Sequence, residues 1–138
     1  MDNRKRERMI VCGEMMLKSV ILECKNKEQL IDFYSKLLNW PVVLNKDEFV
    51  RIESPETGMG IEAHYAEDYI APVWPSEAGK QQMMAHLDFG VNDRAELQEM
   101  VDKAVKLGAR IAEMQYGNGK WITLLDPAGH PFCIVIWD

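Results

Sequence analysis

MMAHLDFGVND, residues 83–93, carries a histidine near the start of an alternating apolar run that ends on an acidic helix cap. Leu87, Phe89 and Val91 share one parity, and His86 and Asp88 share the other, which is the pattern of a strand with one buried face. Asp93 is then an N-cap with Glu96 three residues on. Leu97, Met100, Val101, Ala104, Val105 and Leu107 form a helical apolar stripe that stops at Gly108.

Some seventy residues upstream, residues 18–26 read KSVILECKN, a worn copy of the same phrase. Val20, Leu22 and Cys24 alternate with Ser19, Ile21 and Glu23. Asn26 offers the cap, and Gln29 stands where its side chain could bond back. Leu30, Ile31, Phe33, Tyr34, Leu37 and Leu38 follow at helical spacing, and Asn39 is the left-handed stop before Trp40 and Pro41. Three extended segments succeed each helix: PVVL, EFVRIE and GIEAHY in the first half, ARIAE, KWITLL and FCIVIW in the second. Aligning the final turns, SPETGMGIEA and DPAGHPFCIV, on Gly58 and Gly129 sets Glu62 opposite Cys133.

The reading is therefore α+β: a short basic segment over 1–14, a βαβββ module over 15–65, a connector over 66–82 and a second βαβββ module over 83–138. Val20, Leu22, Leu87, Phe89, Val91, Phe132, Ile134 and Ile136 should face the helices. The other face is mixed, with Ser19, Glu23, Glu62, His64, His86, Asp88 and Cys133 among Ile21, Val135 and Trp137. Lys18 falls on the helix-facing parity, a misfit explained by its place at a strand end, where a long side chain reaches water. The connector AEDYIAPVWPSEAGKQQ is either an intermodule linker or a flap.

Composition narrows the function. At 138 residues and 47% hydrophobic content the chain can bury a core without staples. A net charge of −6 argues against nucleic acid, because phosphate binding needs a basic face and the one basic cluster is Arg4, Lys5, Arg6 and Arg8. The apolar stretch after that cluster is short and is broken by Gly13 and Glu14, so neither a signal peptide nor a membrane span is expected. Cys12, Cys24 and Cys133 have neither zinc-knuckle nor redox-pair spacing, which suits reduced thiols in a cytoplasmic protein.

Two βαβββ copies joined by a Pro/Trp connector resemble the vicinal oxygen chelate superfamily of glyoxalase I, bleomycin-resistance proteins and extradiol dioxygenases. FYSKLLNW, APVWP, HLDFGVND, KLGARIA and DPAGHPFCIVI resemble its compact glyoxalase-like subgroup, over nearly the whole chain after Met15. The resemblance implies eight strands curled into a cup with the mixed face inside and the helices outside. It also implies metal-ligand positions at Ser19, Glu62, His86 and Cys133, and a homodimer. An enzyme of this kind holds a divalent metal (Zn, Ni, Mn or Fe) that grips two adjacent substrate oxygens. Here a histidine is missing at Ser19 and a glutamate at Cys133. The expectation is a protein that binds a small organic molecule in the cup, with an incomplete metal site at His86 and Glu62. The alternatives are a metal-dependent lyase, isomerase or dioxygenase, and a drug-sequestering protein.

Glu62 and His86 are the expected catalytic pair. With no metal, Glu62 is either a base whose pKa burial raises toward neutrality or a solvated carboxylate. His86 is either a ligand or an imidazole held by Asp88 and Glu62. Cys133 is either a small core residue or, with His86 beside it, a nucleophile. Ser19, Tyr69, Trp74, Asp88, Cys133 and Trp137 are the expected substrate-binding residues, although Tyr69, Trp74, Trp121 and Trp137 could equally be packing aromatics. His64 is expected near the cup edge, and His130 exposed in a turn.

Overall fold

The computed structural model describes residues 13–138, so the basic cluster and Cys12 lie outside the described residues. The described residues divide into two compact units, one ending at Glu67 and the other spanning Asp68–Asp138. Each contains one helix packed on one four-stranded mixed sheet, an α+β fold with eight strands in all among the described residues.

In the first unit the elements are β1 (Ser19–Cys24), α1 (Lys27–Leu38), β2 (Val42–Asn45), β3 (Phe49–Glu53) and β4 (Gly60–Tyr65). The sheet order is β1-β4-β3-β2, with β1 parallel to β4 and the other pairs antiparallel. The Asn26 side chain accepts from the Gln29 backbone N–H at 3.0 Å, as a cap should. The return bond expected from the Gln29 side chain is not among the hydrogen bonds of the described residues; that side chain lies on the exposed face. Asn39 closes α1 at φ 58°, ψ 43°, a conformation Asn tolerates better than most residues. Leu30, Ile31, Phe33, Tyr34 and Leu37 are buried with Cys24, Val50, Ile52, Ile61 and Ala63. Each large apolar side chain so buried stabilises the unit by roughly 2 kcal/mol.

The second unit has β5 (Leu87–Val91), α2 (Arg94–Leu107), β6 (Arg110–Ile111), β7 (Trp121–Leu125) and β8 (Pro131–Ile136) in the order β5-β8-β7-β6. Its one parallel pair is again the first strand with the last. Asp93 accepts from the Glu96 N–H at 2.9 Å, while the Glu96 carboxylate reaches back to the Asn92 N–H at 2.7 Å. Leu97, Val101 and Ala104 are buried with Leu124, Phe132 and Ile134. Val105, expected in the stripe, is 44% exposed, because it lies about 80° around the helix from Leu97 and so at the rim of the apolar face. Residues 68–82 belong to this unit. The Tyr69 hydroxyl donates to the Ala128 carbonyl at 2.7 Å, and Trp74 Nε1 donates to the Met114 carbonyl at 3.0 Å. Among the described residues no helix is long and apolar enough to cross a membrane.

Candidate functional site

Register decides which side chains of the mixed faces meet. Ile21 and Arg51 both lie directly beside Glu62, and Glu23 and Phe49 beside His64, so all of these share one face of the first sheet. Arg51 is buried in the run FVRI, where a charge must find partners. Its Nη1 donates to Glu62 Oε2 at 2.7 Å and to Ser19 Oγ, its Nη2 to the Lys18 carbonyl at 3.0 Å, and its Nε lies 3.5 Å from Glu53. Glycine at position 60 makes this possible: a Cβ there would stand 2.2 Å from Arg51 Cζ. Lys18 precedes β1, and it is its carbonyl that serves the network.

The other Glu62 oxygen, Oε1, is 2.8 Å from His64 Nε2, and the His64 ring is stacked on Phe49 with centroids 5.0 Å apart. Burial pushes the Glu62 carboxyl up, but the hydrogen bonds from His64 and Arg51 outweigh it, and the net direction is down. The expectation of a glutamate raised toward neutrality as a base is therefore corrected. Glu62 is a held anion whose hydrogen-bond partners within its unit are Ser19, Arg51 and His64. Ser19, offered as a substrate contact, is likewise engaged by the guanidinium.

The second unit repeats the register with different chemistry. Asp88 lies beside Cys133, as Ile21 lies beside Glu62, and Thr123 occupies the place of Arg51. His86 immediately precedes β5, and its Nε2 is 3.1 Å from Asp88 Oδ1. Ligand atoms of His86, Asp88 and Cys133 all lie within 4.8 Å of one another. Thr123 Oγ1 is 3.3 Å from Cys133 Sγ. Burial raises the Cys133 thiol above its ordinary value, Thr123 works against this, and Asp88 adds to it. A nucleophilic Cys133 needs the opposite shift, so that reading falls. Trp137 is 68% exposed, and its Cβ would be 3.2 Å from a Cβ added to Gly90. Tyr69 and Trp74 have their polar atoms tied to backbone carbonyls of their own unit. Trp74 meets Tyr116 edge-on, and His130 sits against Tyr69 rather than in open solvent.

Arg51 and Thr123 are the residues that sequence reasoning missed. The available signal was Arg51 itself, a charge within the apolar run FVRI.

Ser19 and Glu62, the first unit's share of the implied ligand positions, do not suit a divalent metal: Ser19 and both Glu62 oxygens are already engaged, and an ion at them would meet the positive guanidinium. Within the second unit alone, imidazole, carboxylate and thiol form a set that zinc accepts.

The profile of a family described as a glyoxalase-like domain matches residues 19–135. No curated protein matches the chain. Among solved structures, a glyoxalase/bleomycin resistance protein/dioxygenase family enzyme from Burkholderia phytofirmans aligns with TM-score 0.63 and 16% identity over 86% of this chain and 95% of its own. A glyoxalase-related enzyme from Fulvimarina pelagi gives 0.65 and 15% over 88% of each. A fosfomycin resistance protein from Listeria monocytogenes, in complex with Mn(II), gives 0.65 and 14% over 94% of this chain and 93% of its own.

Proposed function

This chain belongs to the glyoxalase-like domain family, and from that premise we propose that it binds a small organic molecule without a metal held at Ser19 and Glu62 of the first module. One observation carries the reading: Arg51 Nη1 lies 2.7 Å from Glu62 Oε2 while also engaging Ser19, so a fixed organic cation takes the two first-module positions that the resemblance assigns to metal binding. A buried guanidinium is always charged and cannot exchange, so it anchors the carboxylate and offers no open coordination position to a substrate.

Elemental analysis of tagless protein, paired with a thermal-shift screen of ketoaldehyde adducts, catechols and planar drugs, tests this. The expected result is stabilisation by an organic compound in metal-free protein. Stoichiometric metal that is lost in Glu62→Gln would overturn the reading. Stabilisation without turnover places the protein with sequestering relatives, and consumption of the compound with enzymes.

The cluster of His86, Asp88 and Cys133 favours a second reading, in which the second module alone holds zinc for lyase, isomerase or dioxygenase-like chemistry. Thiolate-to-metal absorption on adding Co(II), absent in Cys133→Ser, would support it, and a featureless spectrum in the wild type would exclude it.

A further inference from the structure

We propose that the second module binds an uncharged, flat, electron-poor fused ring carrying a carbonyl oxygen, with the ring stacked on Trp137 and the oxygen held by the Arg94 guanidinium. The proposal deepens the preceding reading by naming the class of ligand, and it rests on that reading in that an organic molecule is bound.

The tryptophans of this unit are not equivalent. Trp74 meets Tyr116 and donates to the Met114 carbonyl, and half-buried Trp121 lies so close to Gly117 that a Cβ there would stand 2.8 Å from its Cγ. Trp137 is 68% exposed, and among the described residues it makes no ring contact. Its position is nevertheless set. Its Cβ, Cγ and Cδ2 lie 3.2, 3.6 and 3.9 Å from where a Gly90 Cβ would be, so the side chain rests on the bare backbone of β5. An indole supported from beneath and open above is a stacking platform.

Arg94 reaches the same end of the sheet. Gly119 precedes Lys120, whose carbonyl accepts from the Ile136 N–H at 2.9 Å, so Gly119 comes beside Trp137 as the β7–β8 ladder runs out. Over Gly119 lies the guanidinium, with Nη2, Nη1 and Cζ 3.4, 3.7 and 3.8 Å from the place a Cβ would take. Its plane rests against the glycine, and the N–H fork, which lies in that plane, is open at the edge. Arg94 is exposed, and among the described residues it makes no hydrogen bond or ion pair. Strand spacing across β5, β8 and β7, with two residues of rise, sets Gly90 and Gly119 roughly 12 Å apart. Two long side chains leaning in from such floors can meet one fused ring.

Charge selects the ligand. The electron-rich face of an indole stacks on an electron-poor ring, and a guanidinium gives a charge-assisted hydrogen bond to an acceptor oxygen. Asp93 and Glu96 flank Arg94 with carboxylates that serve the helix cap, and the whole chain carries −6. An anionic ligand meets that field, whereas a neutral carbonyl accepts the same bond without repulsion.

The probe is 2,3-dimethyl-1,4-naphthoquinone, which is neutral, flat and already substituted where a thiol would add. It is titrated while tryptophan fluorescence is followed, with free tryptophan as the reference for collisional quenching. Saturable quenching is expected in wild type. Trp137→Leu and Arg94→Gln should each weaken binding about tenfold. Both residues are exposed, so circular dichroism should show both variants folded. Absence of saturable quenching in wild type, or wild-type affinity in either variant, overturns the proposal. Tighter binding of the anion 2-naphthoate than of the quinone overturns the choice of a neutral ligand. In the thermal-shift screen, stabilisation by other compounds while the quinone fails sinks this proposal alone, and a protein that no organic compound stabilises sinks the underlying reading with it.

Discussion

At the residue scale the first module turns on Arg51 and on the absence of a side chain at position 60. The guanidinium is buried and serves Ser19, Glu62 and the Lys18 carbonyl at once, so it cannot swing away from a new methyl group without losing those bonds. Gly60→Ala is expected to destabilise the protein by about 3–5 kcal/mol in urea denaturation, the range for disrupting a buried ion pair. Glu62 also gives stability a pH dependence. Its carboxyl is lowered in the folded protein from an ordinary 4.5, so its contribution is complete above that value and is lost as pH falls through the folded-state pKa. Urea melts from roughly pH 6 down to roughly pH 3 should show a shallower acid decline in Glu62→Gln than in wild type.

At the element scale both helices begin on side-chain caps and end on left-handed residues, Asn39 and Gly108. Asp93→Ala removes the acceptor for the Glu96 N–H and is expected to cost about 1 kcal/mol, read by chemical denaturation followed by circular dichroism. The connector is an element in its own right, fastened by the Tyr69 and Trp74 side chains to backbone carbonyls of the second unit. Trp74→Phe keeps the ring against Tyr116 but deletes the Nε1 donor to Met114. A loss of about 1 kcal/mol follows. Limited proteolysis should then cut more readily within residues 71–82 than in wild type.

At the scale of the whole molecule, a net charge of −6 predicts no retention of duplex DNA in filter binding at physiological salt. The twofold repetition of strand, capped helix and three strands was legible before any coordinates, because caps, left-handed stops and alternation act between residues a few positions apart and leave their mark in local spacing. Parity along β1 and β4 likewise put Ser19, Glu62 and His64 on one face, and the His86–Asp88 pair was expected. What stayed hidden was which charges meet. Arg51 and Glu62 are eleven residues apart and belong to different strands, and alternation says which side a residue faces without saying what stands beside it. Local pattern thus determined the fold of each module and the chemistry available to it. Only the tertiary register decided that the carboxylate at position 62 is bound by an arginine rather than left open, since pairing across strands is a property of the assembled sheet.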